Sequence, residues 1–232
     1  MLERILPYES SAFYFLNGSD SELMDNFMWM CSHKLTWVPL YLCLFIIFIY
    51  KYRNNWKEYV LIFVSIFFVI LICDQLASGV LKPMFQRFRP THHPDFKDQV
   101  DFLFGYRGGR YGFASSHASN AFGLATFTAL LFRNKLFSIT LFTFAIITAY
   151  SRIYLGVHFI SDIVAGALIG IFTGILLYKL YIFSRKKLVI KENNAPIIPK
   201  YSNKEVSYVC LTWLTIIASI LIFNSQLVKL TL

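Results

Sequence analysis

Six stretches of the chain are almost continuously apolar, at residues 35–50, 59–81, 116–132, 136–150, 158–183 and 206–228, with polar segments between them. They carry neither the two-residue alternation of a half-buried strand nor the single stripe of a helix on a soluble core. Helices that are apolar all round are predicted, near the roughly 17–25 residues that cross a bilayer. Trp37 and Tyr50 flank the first run, where aromatic belts lie. Asp74, inside the second, is costly in lipid and is expected to face the bundle interior or lie near an interface. The expected fold is all-α, a polytopic integral membrane helical bundle of about six transmembrane helices. Residues 1–34 are different, mixing acids with aromatics, and predict an interfacial amphipathic segment. There Asn17-Gly18-Ser19 predicts a turn and a cap, and Leu23, Phe27 and Met30 recur at helical spacing opposite Asp20 and Asp25. No internal repeat is apparent, so the chain divides into an N-terminal segment, 1–34, and a transmembrane domain, 35–232.

Composition agrees: 56% of the residues are hydrophobic, against roughly 45–50% in soluble domains. A formal charge of +9 would suggest nucleic acid for a soluble protein. Here many of the cations lie in short loops between apolar runs, where they set topology and attract anionic head groups, and no nucleic-acid module is visible. Alternation puts 51–57, 133–135 and 185–204 on one side, which the positive-inside rule makes cytoplasmic. The opposite side, 82–115 and 151–158, still carries Lys82, Arg87, Arg89, Lys97, Arg107, Arg110 and Arg152. Those cations need another task. Cys31, Cys43, Cys73 and Cys210 form no CxxC pair and read as buried hydrophobes. The N-terminus leads into polar residues without an apolar h-region, so no cleavable signal peptide is expected.

Three polar islands carry the candidate chemistry. In the first, Lys82 to Pro90, Lys82 and Arg89 would share a face if the helix continued for two turns, and Pro90 restricts Arg89 to an extended exit. A lysine and an arginine aimed at one point suit a phosphate, although cations at a helix end also commonly snorkel. The second is Ala114-Ser115-Ser116-His117, just before an apolar run. Ser115 and Ser116 either cap that helix or line an anion site made of its free N–H groups, and His117 in its first turn is placed to donate a proton. In the third, Ser151 to Asp162, a helix from His158 onward would put His158 and Asp162 on one face, with the carboxylate holding the imidazole tautomer. The plainer reading makes Arg152 an interfacial anchor and His158 and Asp162 a helix-start pair. All three islands fall on the same predicted membrane face. The adjacent His92 and His93 read as loop residues near a substrate entrance; no carboxylate cluster suits magnesium and no HxxEH spacing suits zinc.

Together the islands resemble the signature of the phosphatidic acid phosphatase type 2 and haloperoxidase superfamily, KxxxxxxRP, PSGH and SRxxxxxHxxxD. The first and third motifs match fully; the second departs with Ala114 for proline and Ser116 for glycine. The likeness covers roughly residues 58–183. It implies a metal-free lipid phosphatase without a cofactor. His158 attacks phosphorus to form a phosphohistidine, Asp162 orients it, and His117 protonates the leaving oxygen. Lys82, Arg89 and Arg152, with Ser115 and Ser116, bind the phosphate. Arg107, Arg110 and Lys97 add positive potential suited to a pyrophosphate or a multiply phosphorylated head group. The implied partners are the bilayer and a lipid phosphate or pyrophosphate, such as undecaprenyl pyrophosphate, phosphatidic acid, phosphatidylglycerophosphate or lipid A. The implied location is a bacterial inner membrane, with the site on its extracytoplasmic face. Phosphotransfer from the same phosphohistidine and a non-catalytic lipid-binding bundle are the alternatives.

Overall fold

Each apolar run becomes a helix in the computed structural model, which describes residues 2–190 and 200–231. The order is α1 (Leu6–Leu16), α2 (Glu22–Ser32), α3 (Val38–Lys51) and α4 (Trp56–Asp74). A π-helical stretch, Gln75–Leu81, carries α4 into the short α5 (Lys82–Phe85). Then come α6 (Ser116–Phe132), α7 (Lys135–Tyr154), α8 (Ile160–Arg185), α9 (Asn203–Ile222) and α10 (Asn224–Lys229). Among the described residues there is no strand, only a single antiparallel bridge between Phe88 and Tyr111. The fold is the expected all-α polytopic bundle.

Among the described residues, five helical stretches are long and apolar enough to cross a membrane: Lys34–Lys51, Trp56–Phe85, Lys135–Tyr154, Ile160–Val189 and Asn203–Ile222. The sixth predicted run is α6, a 17-residue helix at the centre of the bundle, in contact with α4, α7 and α8. Its approach to α8 is close because Gly166, Gly170 and Gly174 recur every fourth residue of α8 and face Ser115, Ser119 and Gly123. In lipid, where burying apolar surface drives little association, such small-residue seams let backbones meet and gain dispersion contacts. Trp37, Phe48, Phe127, Phe137 and Phe144, all fully buried, fill the remaining interior.

The structure departs from the sequence reading in four places. The last apolar run was expected to span 206–228, but α9 stops at Ile222 and α10 begins after Phe223. There the amide of Asn224 accepts from Asn26 Nδ2 at 2.8 Å and donates to the Leu23 carbonyl at 3.2 Å, tying the C-terminal segment to α2. In α2 the cap is Ser21, not the preceding Asn17-Gly18-Ser19 turn. Asn17 is committed to the carbonyls of Asp101 and Tyr154, both 2.9 Å away, and Ser19 Oγ to Tyr154 Oη at 2.6 Å. The buried face of α2 is Asn26, Met28, Met30, Cys31 and Ser32, while Leu23 is exposed and Asp25 accepts from Tyr154 Oη at 2.6 Å. Finally, α7 runs through Tyr154, so Ser151 and Arg152 are helical and not in a loop. Gly156, at φ +66°, makes the turn that follows.

The described residues of the segments expected on the cytoplasmic side gather at one end. Lys51 pairs with Glu205 at 2.8 Å, and Phe132 stacks between Phe137 and Tyr201 at 3.8 and 3.9 Å. Glu58, 1% exposed, takes Arg185 Nε on both oxygens at 2.8 and 2.9 Å and also accepts from Tyr181 Oη. Removing one partner of a buried ion pair costs roughly 3–5 kcal/mol. Glu58→Ala should therefore lower the unfolding midpoint in detergent by several degrees, while Lys51→Ala, breaking a part-exposed pair, shifts it little.

Candidate active site

The opposite end of the bundle collects all three polar islands. After α5, Gln86 adopts φ +46° and turns the chain back, so Lys82 and Arg89 do not share a helix face. Instead residues 87–89 pair with 110–112: Arg89 N–H donates to the Arg110 carbonyl at 3.1 Å and Gly112 N–H to the Arg87 carbonyl at 2.9 Å. This hairpin carries Arg89 over the start of α6, with its Nε on the Tyr111 carbonyl at 3.1 Å. Lys82 reaches the same place from α5, 2.9 Å from Ser78 Oγ and 3.5 Å from Ser116 Oγ. Arg152 comes from the last turn of α7, bonded to Tyr106 Oη at 3.0 Å and to Ser32 Oγ.

His158 lies between α7 and α8, outside both helices. The condition that it share a helical face with Asp162 is not met, because α8 starts two residues later at Ile160. Contact is made by capping instead. Asp162, at the third helical position, folds back so that Oδ2 accepts the Phe159 N–H at 3.1 Å and lies 3.2 Å from His158 Nδ1. A carboxylate only accepts, so the proton sits on Nδ1 and Nε2 keeps its lone pair. Both residues are buried. Burial, and then Arg89, Arg152, Lys82 and His117 in that order, hold the His158 imidazole well below the usual histidine range. It is therefore neutral near pH 7, as a nitrogen nucleophile must be. Burial and Arg152 likewise bring the Arg89 guanidinium down to about 10.

Ser115 caps α6, its Oγ accepting from Ala118 N–H at 3.4 Å, and its own N–H donates to the Asp162 carbonyl at 3.0 Å. His117 and Ser116, in the first turn of α6, line a cavity of about 450 Å³ between α3, α4, α6 and α7. Asp74, half-buried, lines it too, together with Lys34, Trp37, Leu44, Phe63 and Ile70, so the acid of the second span faces this space. Three charged donors at this end, Arg87 Nε, Arg89 Nη1 and Arg152 Nε, are buried and have no acceptor among the described residues, and those of Arg89 and Arg152 stand beside Lys82 and His158. Donors of that kind are suited to the oxygens of a phosphate.

Arg107 and Arg110 are exposed and lie over aromatic rings, Arg107 on Phe102 at 4.6 Å and Arg110 on Phe88 at 5.1 Å. They rim the hairpin outside the buried cluster. His93 pairs with Glu3 at 3.0 Å and packs edge-on against Phe96 and Phe159. Among the described residues no three His, Cys, Asp or Glu side chains converge as metal ligands.

Sequence reasoning missed four contributors. Arg87, noted only as a surplus cation, donates from Nη1 to Asp162 Oδ1 at 2.9 Å and from Nη2 to Glu9 Oε1 at 2.6 Å. Glu9, in the supposedly separate N-terminal segment, is buried here. Gly112 lies so close to the pair that a Cβ there would be 2.8 Å from Asp162 Oδ2 and 3.5 Å from His158 Nδ1. Tyr106 steadies Arg152. Only the surplus of positive charge on this side of the chain signalled any of them.

Comparison with known proteins follows the same lines. The profile of the PAP2 superfamily matches residues 63–186, which hold all three motifs. The lipid A 4′-phosphatase of Porphyromonas gingivalis is 44% identical over 186 residues, covering 80% of this chain and 78% of that protein. The lipid A 4′-phosphatase of Bacteroides thetaiotaomicron is 35% identical over 227 residues, 97% of this chain and 98% of that protein. The crystal structure of Aquifex aeolicus LpxE superposes with a TM-score of 0.56 at 28% identity, covering 74% of this chain and 95% of that one. With its motifs gathered at one end of a membrane bundle and one relative matched along nearly its whole length, the chain belongs to the PAP2 superfamily as a membrane lipid phosphatase.

Proposed function

We propose that this phosphatase removes the 4′-phosphate of lipid A through a phosphohistidine on His158, at the extracytoplasmic face of a bacterial inner membrane. The observation that carries the chemistry is the His158 imidazole, fixed by Asp162 at 3.2 Å and surrounded by Lys82, Arg89 and Arg152. Support for the substrate comes from the names of the two relatives. It comes also from the mainly apolar cavity that begins at His117, which can take acyl chains while the phosphate stays at its polar end.

His158 Nε2 forms a bond to phosphorus as the bond to the sugar oxygen breaks, and His117 gives that oxygen a proton. Lys82, Arg89 and Arg152, with Ser115 and Ser116 at the start of α6, neutralise the equatorial oxygens as charge builds. A water then attacks phosphorus and gives a proton to His117, the N–P bond breaks with its electron pair returning to His158 Nε2, and inorganic phosphate leaves. The three cations bind phosphate in every state; the gain in rate comes from contacts that tighten at the transition state. The N-terminal helices α1 and α2 suit an interfacial segment, and the exposed rings of Tyr8 and Phe15, each 87% exposed, support contact with lipid there. Residues 35–232 form the catalytic domain.

The test is phosphate release by detergent-purified protein, with EDTA present, from diphosphoryl lipid A, phosphatidic acid and undecaprenyl pyrophosphate. Lipid A should lead and lose one phosphate, from the 4′ position; if phosphatidic acid or the pyrophosphate leads, that lipid replaces lipid A. In the same panel, Arg107→Ala with Arg110→Ala should lower turnover of the pyrophosphate and diphosphoryl lipids more than that of phosphatidic acid. Equal losses would remove both arginines from head-group recognition.

A further inference from the structure

Glu9 lies far in sequence from every motif, yet it is buried against the residue that holds the aspartate of the candidate nucleophile pair. We infer that Glu9 is a positioning residue for His158, acting through Arg87 on Asp162; the inference rests on the reading of His158 as the nucleophile. Arg87, 2% exposed, bridges two carboxylates, Glu9 at 2.6 Å and Asp162 at 2.9 Å. Its guanidinium also lies over the Phe159 ring at 4.6 Å, next to His158 in sequence. The same Glu9 accepts the Ser161 N–H at 2.8 Å and the Ser161 hydroxyl at 2.9 Å, which fixes the first turn of α8, where Asp162 stands.

The charge balance gives the arrangement its purpose. One arginine beside one aspartate would be a neutral pair, with little field left for the imidazole. A second carboxylate on the far side of Arg87 leaves the buried cluster with a net negative charge, behind His158 and opposite the attacking nitrogen. When Nε2 bonds to phosphorus the imidazole becomes positive, and a fixed anionic cluster in a low-dielectric setting stabilises that charge. Burying three charged groups is costly, and structure alone does not require it, because an apolar cluster of similar volume is often as stable.

The groups facing His158 are Lys82 from α5, Arg89 from the hairpin, His117 from α6, Arg152 from α7 and Asp162 from α8. Four of these are cationic or can become so; the opposing negative charge is that of Asp162, to which Glu9 adds from behind Arg87. Removing the Glu9 charge therefore makes His158 harder to protonate. The acid limb of kcat/KM, which reports the free nucleophile, moves to lower pH by roughly 0.5–1 unit, the scale of one unit charge in a partly buried neighbourhood.

The experiment compares Glu9→Gln, Glu9→Asp and wild type across pH with diphosphoryl lipid A and phosphatidic acid in detergent micelles, following thermal unfolding in parallel. Glu9→Gln keeps the shape and an acceptor oxygen but not the charge. A fall in kcat of about tenfold or more is expected, with KM within twofold and the acid limb displaced downward. Glu9→Asp, which keeps the charge, should recover part of kcat and leave the limb near its wild-type position. A folded Glu9→Gln protein with wild-type kcat and an unmoved limb overturns the inference, as does a loss of kcat matched by loss of folded protein with no limb shift. If Glu9→Gln does not fold, the aspartate variant decides: an acid limb held at its wild-type position supports the inference, and a limb displaced downward despite the retained charge overturns it. Release by wild type that is unaffected by His158→Ala overturns the nucleophile reading and the inference with it. Release that depends on His158 but is indifferent to Glu9→Gln overturns the inference alone.

Discussion

His158→Ala should reduce phosphate release by at least ~10³-fold, on the scale seen when the nucleophile of a covalent mechanism is deleted. The remaining cations still bind phosphate, so KM should change far less than kcat. Asp162→Asn tests the pairing more finely. Asp162 Oδ2 serves both the Phe159 N–H at 3.1 Å and His158 Nδ1 at 3.2 Å, and an amide offers one oxygen where the carboxylate offered two. If the amide nitrogen faces the imidazole, the tautomer reverses and Nε2 carries the proton, a loss of up to about 10⁴-fold in analogous arrangements. Single-turnover assays with phosphorus-labelled lipid should detect a histidine-bound phosphate in wild type and none in His158→Ala. Release that survives the substitution would assign the attack to another group.

The same residue sets a pH dependence. Folding lowers the His158 pKa through burial and the surrounding cations, so below about 6.5 the unfolded chain binds a proton that the folded chain does not. The contribution of this residue to stability is complete above that value and is lost as pH falls toward its folded pKa. Activity should therefore keep an acid limb below the ordinary histidine range, and unfolding midpoints should fall as pH drops under 6.5. A midpoint that rises there would contradict the neutral imidazole.

The largest expected effect on folding comes from Gly170→Leu. A Cβ at Gly170 would lie 2.3 Å from the Ser119 carbonyl oxygen and 2.7 Å from the Gly123 nitrogen, both backbone atoms of α6. Neither can swing aside as a side-chain end can, so α6 and α8 must separate. Overpacking costs about 1–3 kcal/mol when side chains can shift, and here the whole seam has to open. Gly170→Leu should fail to yield folded protein in detergent, and even Gly170→Ala should lower the midpoint by several degrees. Leu168→Ala, at a position 63% exposed on the same helix, is the control and should be near neutral. A Gly170→Leu protein that folds and releases phosphate normally would mean that the seam is looser than drawn.

Sequence made the spans legible because a bilayer demands long uniform runs, and the ends of 136–150 and 206–228 were missed for local reasons. The helical turn through Arg152 is held by burial, and Asn224 ends its helix by bonding to α2, a partner roughly two hundred residues away. The placing of Lys82, Arg89, Arg152, Ser116, His117, His158 and Asp162 at one end followed from motif order and alternation. The way they meet did not, since the turn at Gln86 and the cap at Phe159 are backbone events that spacing does not report. Glu9 was illegible for a simpler reason: a lone glutamate in a polar N-terminal segment looks solvated until its partners, 78 and 152 residues further on, are known.

That separation has a consequence for biogenesis. Glu9 reaches its place only after Ser161 has been made, and Asn17 waits for Asp101 and Tyr154. The first helix leaves the ribosome long before the residues it clasps. Closing so long a loop comes late in assembly, after the local helices have formed. A chain arrested part-way through membrane insertion therefore carries its lysine and arginines without the braced pair of His158 and Asp162, which is complete only when the first helix has met the start of α8.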